Sequence, residues 1–213
     1  MKSNMPEQSQ IKLTSEDIDK LPSQQFVGDI VVVDTIALAM QAATEMAQQH
    51  ILGFDTETRP SFKRGVTHKT ALLQLSSTNK AWLIRLNKIG LPNCIVKILE
   101  DTNIVKAGVA IRDDIKGLQR WHQFVPGSFV ELQNMALEHG IEDFSLKKLA
   151  AHIMGIKISK RQRLSNWEAK MLLTSQQNYA ATDAWVGLEC YLGLQKGIHI
   201  HPRLETILLH SEE

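Results

Sequence analysis

Three apolar runs in the first half of the chain restrict its architecture more than any other feature: Ile51–Asp55 (ILGFD), Ala71–Ser76 (ALLQLS) and Ala81–Leu86 (AWLIRL). Only Ser77-Thr78-Asn79-Lys80 separates the second from the third, a spacer of hairpin length. Between the first and second lies Arg59–Lys69, whose Pro, Gly, Ser and basic side chains mark a loop. The three runs are therefore expected to form an antiparallel meander. Beyond it the pattern changes to strand–helix alternation. A helix is expected near Asn93–Asp101, a strand at Ile104–Ala107 and a helix across Asp113–His122. A weaker strand follows at Phe129–Leu132, then helical segments at Gln133–His139 and Ser145–Met154. The long helix Ser175–Gln195 has Thr174 as its expected N-cap. Upstream of the meander lie a short strand, Asp29–Asp34, and a helix through Leu38–Gln49. A meander followed by strand–helix units predicts an α/β domain, a mixed sheet with helices on both faces.

With 213 residues the chain suits a single domain, here expected over residues 25–213. Residues 1–24 are polar and poor in aromatics and are expected as a flexible lead-in. Apolar residues make up 43% of the chain, enough for a full core, yet no run approaches the roughly 20 residues a membrane span requires. The N-terminus lacks the apolar stretch of a secretory signal. Cys94 and Cys190 lie far apart and read as free thiols of a reducing compartment. An intracellular protein is expected, cytoplasmic in a bacterium and nuclear in a eukaryote, with no membrane partner. The net charge of +1 says little about partners, but it conceals two basic clusters. One comprises Lys63, Arg64 and Lys69, the other Lys157, Lys160, Arg161 and Arg163. Taken alone, both are ordinary solvated surface charge.

Chemistry concentrates in three short segments. In Phe54-Asp55-Thr56-Glu57, at the end of an apolar strand, alternation sends Asp55 and Glu57 to the same face. Two adjacent carboxylates repel unless a proton or a cation lies between them. Hard cations such as Mg²⁺ and Mn²⁺, which prefer oxygen ligands, meet that need. In Tyr179-Ala180-Ala181-Thr182-Asp183, phenol and carboxylate stand one helical turn apart on one face. There the Tyr can orient a water beside the Asp. Gly108-Val109-Ala110-Ile111-Arg112-Asp113-Asp114 runs from a short strand into a helix. Acids in a first turn often do no more than complement the helix dipole, and Asp113 needs no other explanation.

Read in order along one chain, D-x-E, then G-V-x-I-x-x-D, then Y-A-A-T-D resembles the DEDDy branch of the DnaQ-like 3′→5′ exonucleases. The likeness is greatest to the Werner-type exonuclease domain. Val66–Leu75, Lys106–Ala110, Ser145–Leu149, Leu164–Trp167 and Asp183–Tyr191 carry it further, so that it spans roughly residues 28 to 195. The resemblance implies an RNase H-like fold with a central mixed sheet of about five strands. It implies two divalent cations, Mg²⁺ or Mn²⁺, held by Asp55, Glu57, Asp114 and Asp183. Asp55 would bridge both, Glu57 and Asp183 would complete the first site, and Asp114 would reach the second through water. Tyr179, a Tyr where the other branch has His, would help position the attacking water. Thr56, Gln74 and Leu75 fall where the family places the terminal nucleotide, whose 3′-hydroxyl Glu57 would accept. Lys160 and Arg161 would meet backbone phosphates, and Trp167 would stack on a base unless it belongs to the core.

The partner implied is a nucleic-acid 3′ end. DNA is favoured over RNA, because exoribonucleases resembling ribonuclease D carry a helical binding domain after the nuclease and little chain follows Gln195 here. No helicase motif is present, so a helicase partner would be a separate polypeptide. A degenerate, non-catalytic binding module would be expected to lack at least one of the acids. The sequence has no G-x-x-x-x-G-K-[ST], no G-x-G-x-x-G after the first strand and no G-x-S-x-G elbow. His199 and His201 have no further zinc ligand nearby and read as surface residues.

Overall fold

The computed structural model of the chain describes residues 13–142 and 144–209. Its strands are β1 (Asp29–Val33), β2 (Ile51–Thr58), β3 (Thr70–Ser76), β4 (Lys80–Arg85), β5 (Val105–Gly108) and β6 (Phe129–Glu131). They form one six-stranded sheet in the order β1-β4-β3-β2-β5-β6. The meander is present, with β2 antiparallel to β3 and β3 antiparallel to β4. The other three strands add in parallel: β1 beside β4, β5 beside β2, and β6 beside β5. The sheet exceeds the expected five or so strands because Phe129–Glu131, weak as a signal, pairs with Lys106–Gly108 along its whole length.

The helices are α1 (Ser15–Asp19), α2 (Ile36–Met46), α3 (Leu86–Ile89), α4 (Asn93–Glu100) and α5 (Ile111–Gln119). They continue with α6 (Leu132–Glu138), α7 (Leu146–Leu149), which runs into a π-helical turn at Ala150–Met154, α8 (Thr174–Gln195) and α9 (Pro202–Leu209). Among the described residues no helix is long and apolar enough to cross a membrane.

Alternation along the strands divides the molecule into two layers of helices. Leu52 and Phe54 of β2, Leu73 and Leu75 of β3, and Trp82 and Ile84 of β4 bury one face against α2 and α4. Each such side chain contributes about 1.5–3 kcal/mol when fully withdrawn from water. On the other face, Leu72 and Leu83 meet Ala180, and Ala81 meets Ala181. The small residues of α8 are what let it lie close on the sheet. A Cβ on Gly53 would stand 1.8 Å from the Ala184 carbonyl oxygen, so no larger residue fits there without moving the helix.

Two expectations are corrected. Residues 13–24 of the expected lead-in are ordered: Thr14 and Asp17 form a capping box at the start of α1. Leu13, Ile18 and Leu21 then bury against Leu204 of α9. Residues 1–12 lie outside the described residues. Helix α9 left little trace in the sequence, because its apolar stripe has meaning only opposite α1. Nor is Thr174 the N-cap of α8. It is the first helical residue, and the preceding Leu173 N–H donates to Gln176 Oε1 at 3.0 Å.

The ladder between β2 and β5 is short. Only Ile51–Gly53 pair with β5, so from Phe54 onward β2 has β3 as its ladder neighbour and is open on the other side. Gly108 ends β5 against β2, where a Cβ would lie 2.5 Å from the Phe54 carbonyl oxygen. Ala110 then turns the chain in the left-handed region, with φ 58°, to launch α5. This opening is where residues from both faces of the sheet converge.

Candidate active site

Asp55 and Glu57 leave β2 on the face covered by α8, as alternation requires. Asp183 descends onto them from α8, held at close range by the Gly53–Ala184 contact and itself only 8% exposed. One carboxylate oxygen from each of the three lies within 4.8 Å of the others. Asp114, in the first turn of α5, is not part of that trio. It approaches through the opening beside β2, where Thr56 Oγ1 donates to its Oδ1 at 2.5 Å. Asp113 points elsewhere and pairs with Lys116 at 2.9 Å, which supports the choice of Asp114 between the adjacent acids.

Protonation behaviour reflects this crowding. Burial, followed by the charges of Asp183, Glu57 and Asp114, holds the Asp55 carboxyl well above the usual carboxylate range. Burial and then Asp183 and Asp114 push Glu57 up to about 9, against the opposing pull of Arg163. Asp183 rises to about 7, chiefly through burial, with the Tyr179 hydrogen bond and the charge of Lys160 pulling the other way. Asp114 rises to about 6 by burial, moderated by its bond from Thr56. Four acids that resist ionising together, with cationic side chains only at a distance, form a donor set of hard oxygens. Such a set fits a divalent cation.

Tyr179 lies one turn before Asp183 and is hydrogen-bonded to it; burial, ahead of the neighbouring negative charges, raises its phenol. The ring packs on Trp167 with centroids 6.0 Å apart. That contact decides between the two readings of Trp167 in favour of the core. Trp167 is fully buried among Leu72, Leu83 and Leu172, so it has no free face for a base and serves as the floor beneath Tyr179.

Three more expected substrate contacts are placed differently. Gln74 is directly across the ladder from Asp55, yet it is fully buried and its amide has no hydrogen-bond partner among the described residues. Leu75 points to the opposite face and is part of the core there. The Thr56 hydroxyl is occupied by Asp114. The Gln74 and Leu75 side chains present no free surface to a nucleotide, and the half-buried Thr56 has its hydroxyl engaged by Asp114. Lys160 and Arg161 are exposed.

Two further contributors emerge only in the folded chain. Arg163, noted only as surface charge, is the cation that acts on Glu57. Glu131, at the end of β6, accepts from the Ala110 and Ile111 N–H groups at 2.9 Å each and so fixes the start of α5 and the height of Asp114. A lone acid after a weak strand gave no signal of that task. His201, read as a surface residue, joins α9 to the body: its N–H donates to the His152 carbonyl at 2.6 Å and its ring rests on Gly155. His199 is exposed, as expected.

Residues 30–199 match the profile of a family described as 3′-5′ exonuclease. Among curated proteins the chain is similar to the mouse bifunctional 3′-5′ exonuclease/ATP-dependent helicase WRN, 34% identical over 81% of this chain. The matched region is 13% of that protein, so the chain spans far less than the length of this relative. Among solved structures it resembles the Nibbler EXO domain of Aedes aegypti, with TM-score 0.75 and 21% identity over 87% of this chain and 100% of that one. It also resembles Escherichia coli RNase D, an exoribonuclease, with TM-score 0.71 and 20% identity over 85% of this chain and 49% of that one. At such identities the structural likeness establishes the fold, an RNase H-like mixed sheet.

Proposed function

The chain belongs to the 3′-5′ exonuclease family, and on that premise we propose that it shortens DNA from the 3′ end, releasing nucleoside 5′-monophosphates. The carboxylate trio Asp55, Glu57 and Asp183 carries this reading, with Asp114 adjoining it. In our assignment these four acids hold two divalent cations, Mg²⁺ or Mn²⁺. Asp55 would contribute to both sites, Glu57 and Asp183 would complete one, and Asp114 would serve the other. Bound there, the cations would supply a nucleophile at neutral pH and stabilise the leaving 3′-oxygen.

The remaining work belongs to the protein's own groups. Tyr179, steadied by Trp167 below and by Asp183 beside it, orients the attacking water in line with the scissile bond. Hydrolysis adds that water across the P–O3′ bond, leaving phosphate on the departing nucleotide and a new 3′-hydroxyl on the strand. Glu57 receives the terminal 3′-hydroxyl. Lys160 and Arg161, free at the surface, meet backbone phosphates, which orient the strand without reading its sequence.

DNA is preferred because the relative with 34% identity combines its exonuclease with a helicase, an activity that opens duplexes. By extension, a separate helicase is the partner that would supply frayed ends. RNA is the second reading, favoured by the resemblance to an exoribonuclease, although at 20% identity that resemblance concerns the fold. Side-by-side digestion of 5′-labelled DNA and RNA with Mg²⁺, Mn²⁺ or chelator tests substrate, polarity and metal need together. Preferential ladder formation on DNA supports the first reading. Digestion unaffected by chelator would reject both.

A further inference from the structure

Tyr179 and Arg161 also line a cleft of about 500 Å³ whose walls include none of the four carboxylates. Three segments build it: residues 23–25, the 159–162 stretch, and one face of α8 carrying Ser175, Asn178, Tyr179 and Thr182. These positions on α8 fall at i, i+3, i+4 and i+7, a single helical stripe. The walls are fixed in place. Gln24 N–H donates to the Lys157 carbonyl at 3.1 Å, and Lys157 N–H to that of Pro22 at 3.0 Å. Phe26 N–H then donates to Thr182 Oγ1 at 3.0 Å and anchors the N-terminal segment on α8.

The lining is chemically distinctive. It contains no carboxylate and no aliphatic side chain; amides, hydroxyls, the Tyr179 phenol and the Arg161 guanidinium make it up. Among the described residues Arg161 has no acidic partner. The segment that supplies it divides its cations in two directions. Lys160 acts on Asp183 and Arg163 on Glu57, whereas Arg161 lines the cleft. One basic segment thus borders both the acidic centre and the neutral polar hollow beside it, with Tyr179 as the shared wall.

We propose that this cleft is a subsite for one unpaired nucleotide of the substrate strand. Arg161 takes a phosphate oxygen, and the amides of Gln24, Gln25, Gln162 and Asn178 bond to base edge and sugar. Amides both donate and accept, so they suit the mixed edges of an unstacked base better than a row of phosphates. The volume is of the size that holds one small ligand and is too small for a duplex. This inference rests on the exonuclease reading of the adjoining carboxylates.

Two tests separate the inference from that reading. In Mn²⁺, the wild-type protein is assayed on a deoxydinucleotide, a deoxyhexanucleotide and the 4-nitrophenyl ester of thymidine 5′-monophosphate, which has no strand to place in the cleft. Failure to cleave any of them would defeat the exonuclease reading itself. With cleavage established, kcat/KM on the hexanucleotide should exceed that on the dinucleotide by roughly tenfold, the equivalent of one or two net hydrogen bonds. Asn178→Ala and Gln24→Ala should each bring that ratio down toward one. An unchanged ratio in Gln24→Ala, whose exposed side chain leaves the fold intact, overturns the proposal, whatever Asn178→Ala does to folding. Weaker inhibition by thymidine 5′-monophosphate at an unchanged ratio would assign the cleft to released product and overturn the strand assignment equally.

Discussion

Gly53 and Ala184 are in such close contact that a methyl group on Gly53 would stand 1.8 Å from the Ala184 carbonyl oxygen. The height of Asp183 is thereby set, since it immediately precedes Ala184 on α8 and Asp55 follows Gly53 by two on β2. Substituting Gly53→Ala should lift α8 away from β2 and separate Asp183 from Asp55 and Glu57. Overpacking of this kind costs about 1–3 kcal/mol, and the nuclease rate should fall at least tenfold, as expected when reacting groups shift by about 1 Å. Thermal melting with a rate assay checks both, and an active, fully stable variant would contradict the contact.

Tyr179→Phe should reduce kcat by about a hundredfold, the scale on which a positioned proton-handling group acts. KM should barely move, because the ring and its packing on Trp167 remain. The melting temperature should also hold. Trp167→Ala, by contrast, should destabilise the fold by about 3–5 kcal/mol through the cavity it leaves. A tyrosine that mattered only for packing would show the reverse order of effects.

Stability of the metal-free protein should depend on pH with an unusual sign. Asp114, Asp183 and Glu57 rise to about 6, 7 and 9 in the folded state, above their unfolded values. The folded protein therefore holds more protons than the unfolded chain. The stability this confers is fully present below the unfolded values and is lost as pH climbs through the folded ones. In chelator, the melting temperature should fall between about pH 5 and pH 9. Asp183→Asn should raise it and flatten the slope, and Mn²⁺ should restore stability to the wild type. A flat profile in chelator would mean that the carboxylates are not crowded.

Glu131 should behave as a positioning residue. Its carboxylate takes the Ala110 and Ile111 N–H groups at the start of α5, three residues ahead of Asp114. Glu131→Ala should cost about 1–2 kcal/mol, the range for losing a helix cap, and should slow turnover by displacing Asp114. Glu131→Gln, which retains an acceptor oxygen, should recover most of the stability and part of the rate. Equal loss in both variants would point to its charge instead.

Much of this architecture could be read directly from local pattern. The meander follows from alternation in Ala71–Ser76 and Ala81–Arg85, and the shared direction of Asp55 and Glu57 follows from their spacing on one strand. Tyr179 and Asp183 announce their proximity by standing four apart on a helix. Expectations failed where burial decides. Trp167, Gln74 and Leu75 are compatible by residue type with either a surface groove or a core, and only the layers above and below them place them inside. Helix α9 and the ordered part of the N-terminal segment depend on each other, so neither was visible alone.

By itself the sequence determined the meander and most of the helices, because hydrophobic period is a local property, while the order of its acidic motifs carried the resemblance that singled out four acids and a tyrosine. Tertiary structure alone decided how far apart those acids stand. The short β2–β5 ladder leaves an opening through which Asp114 arrives from the opposite face. The glycine at position 53 lets α8 descend until Asp183 joins Asp55 and Glu57. Distances across a sheet arise from packing between segments remote in the chain, and no spacing along the chain encodes them.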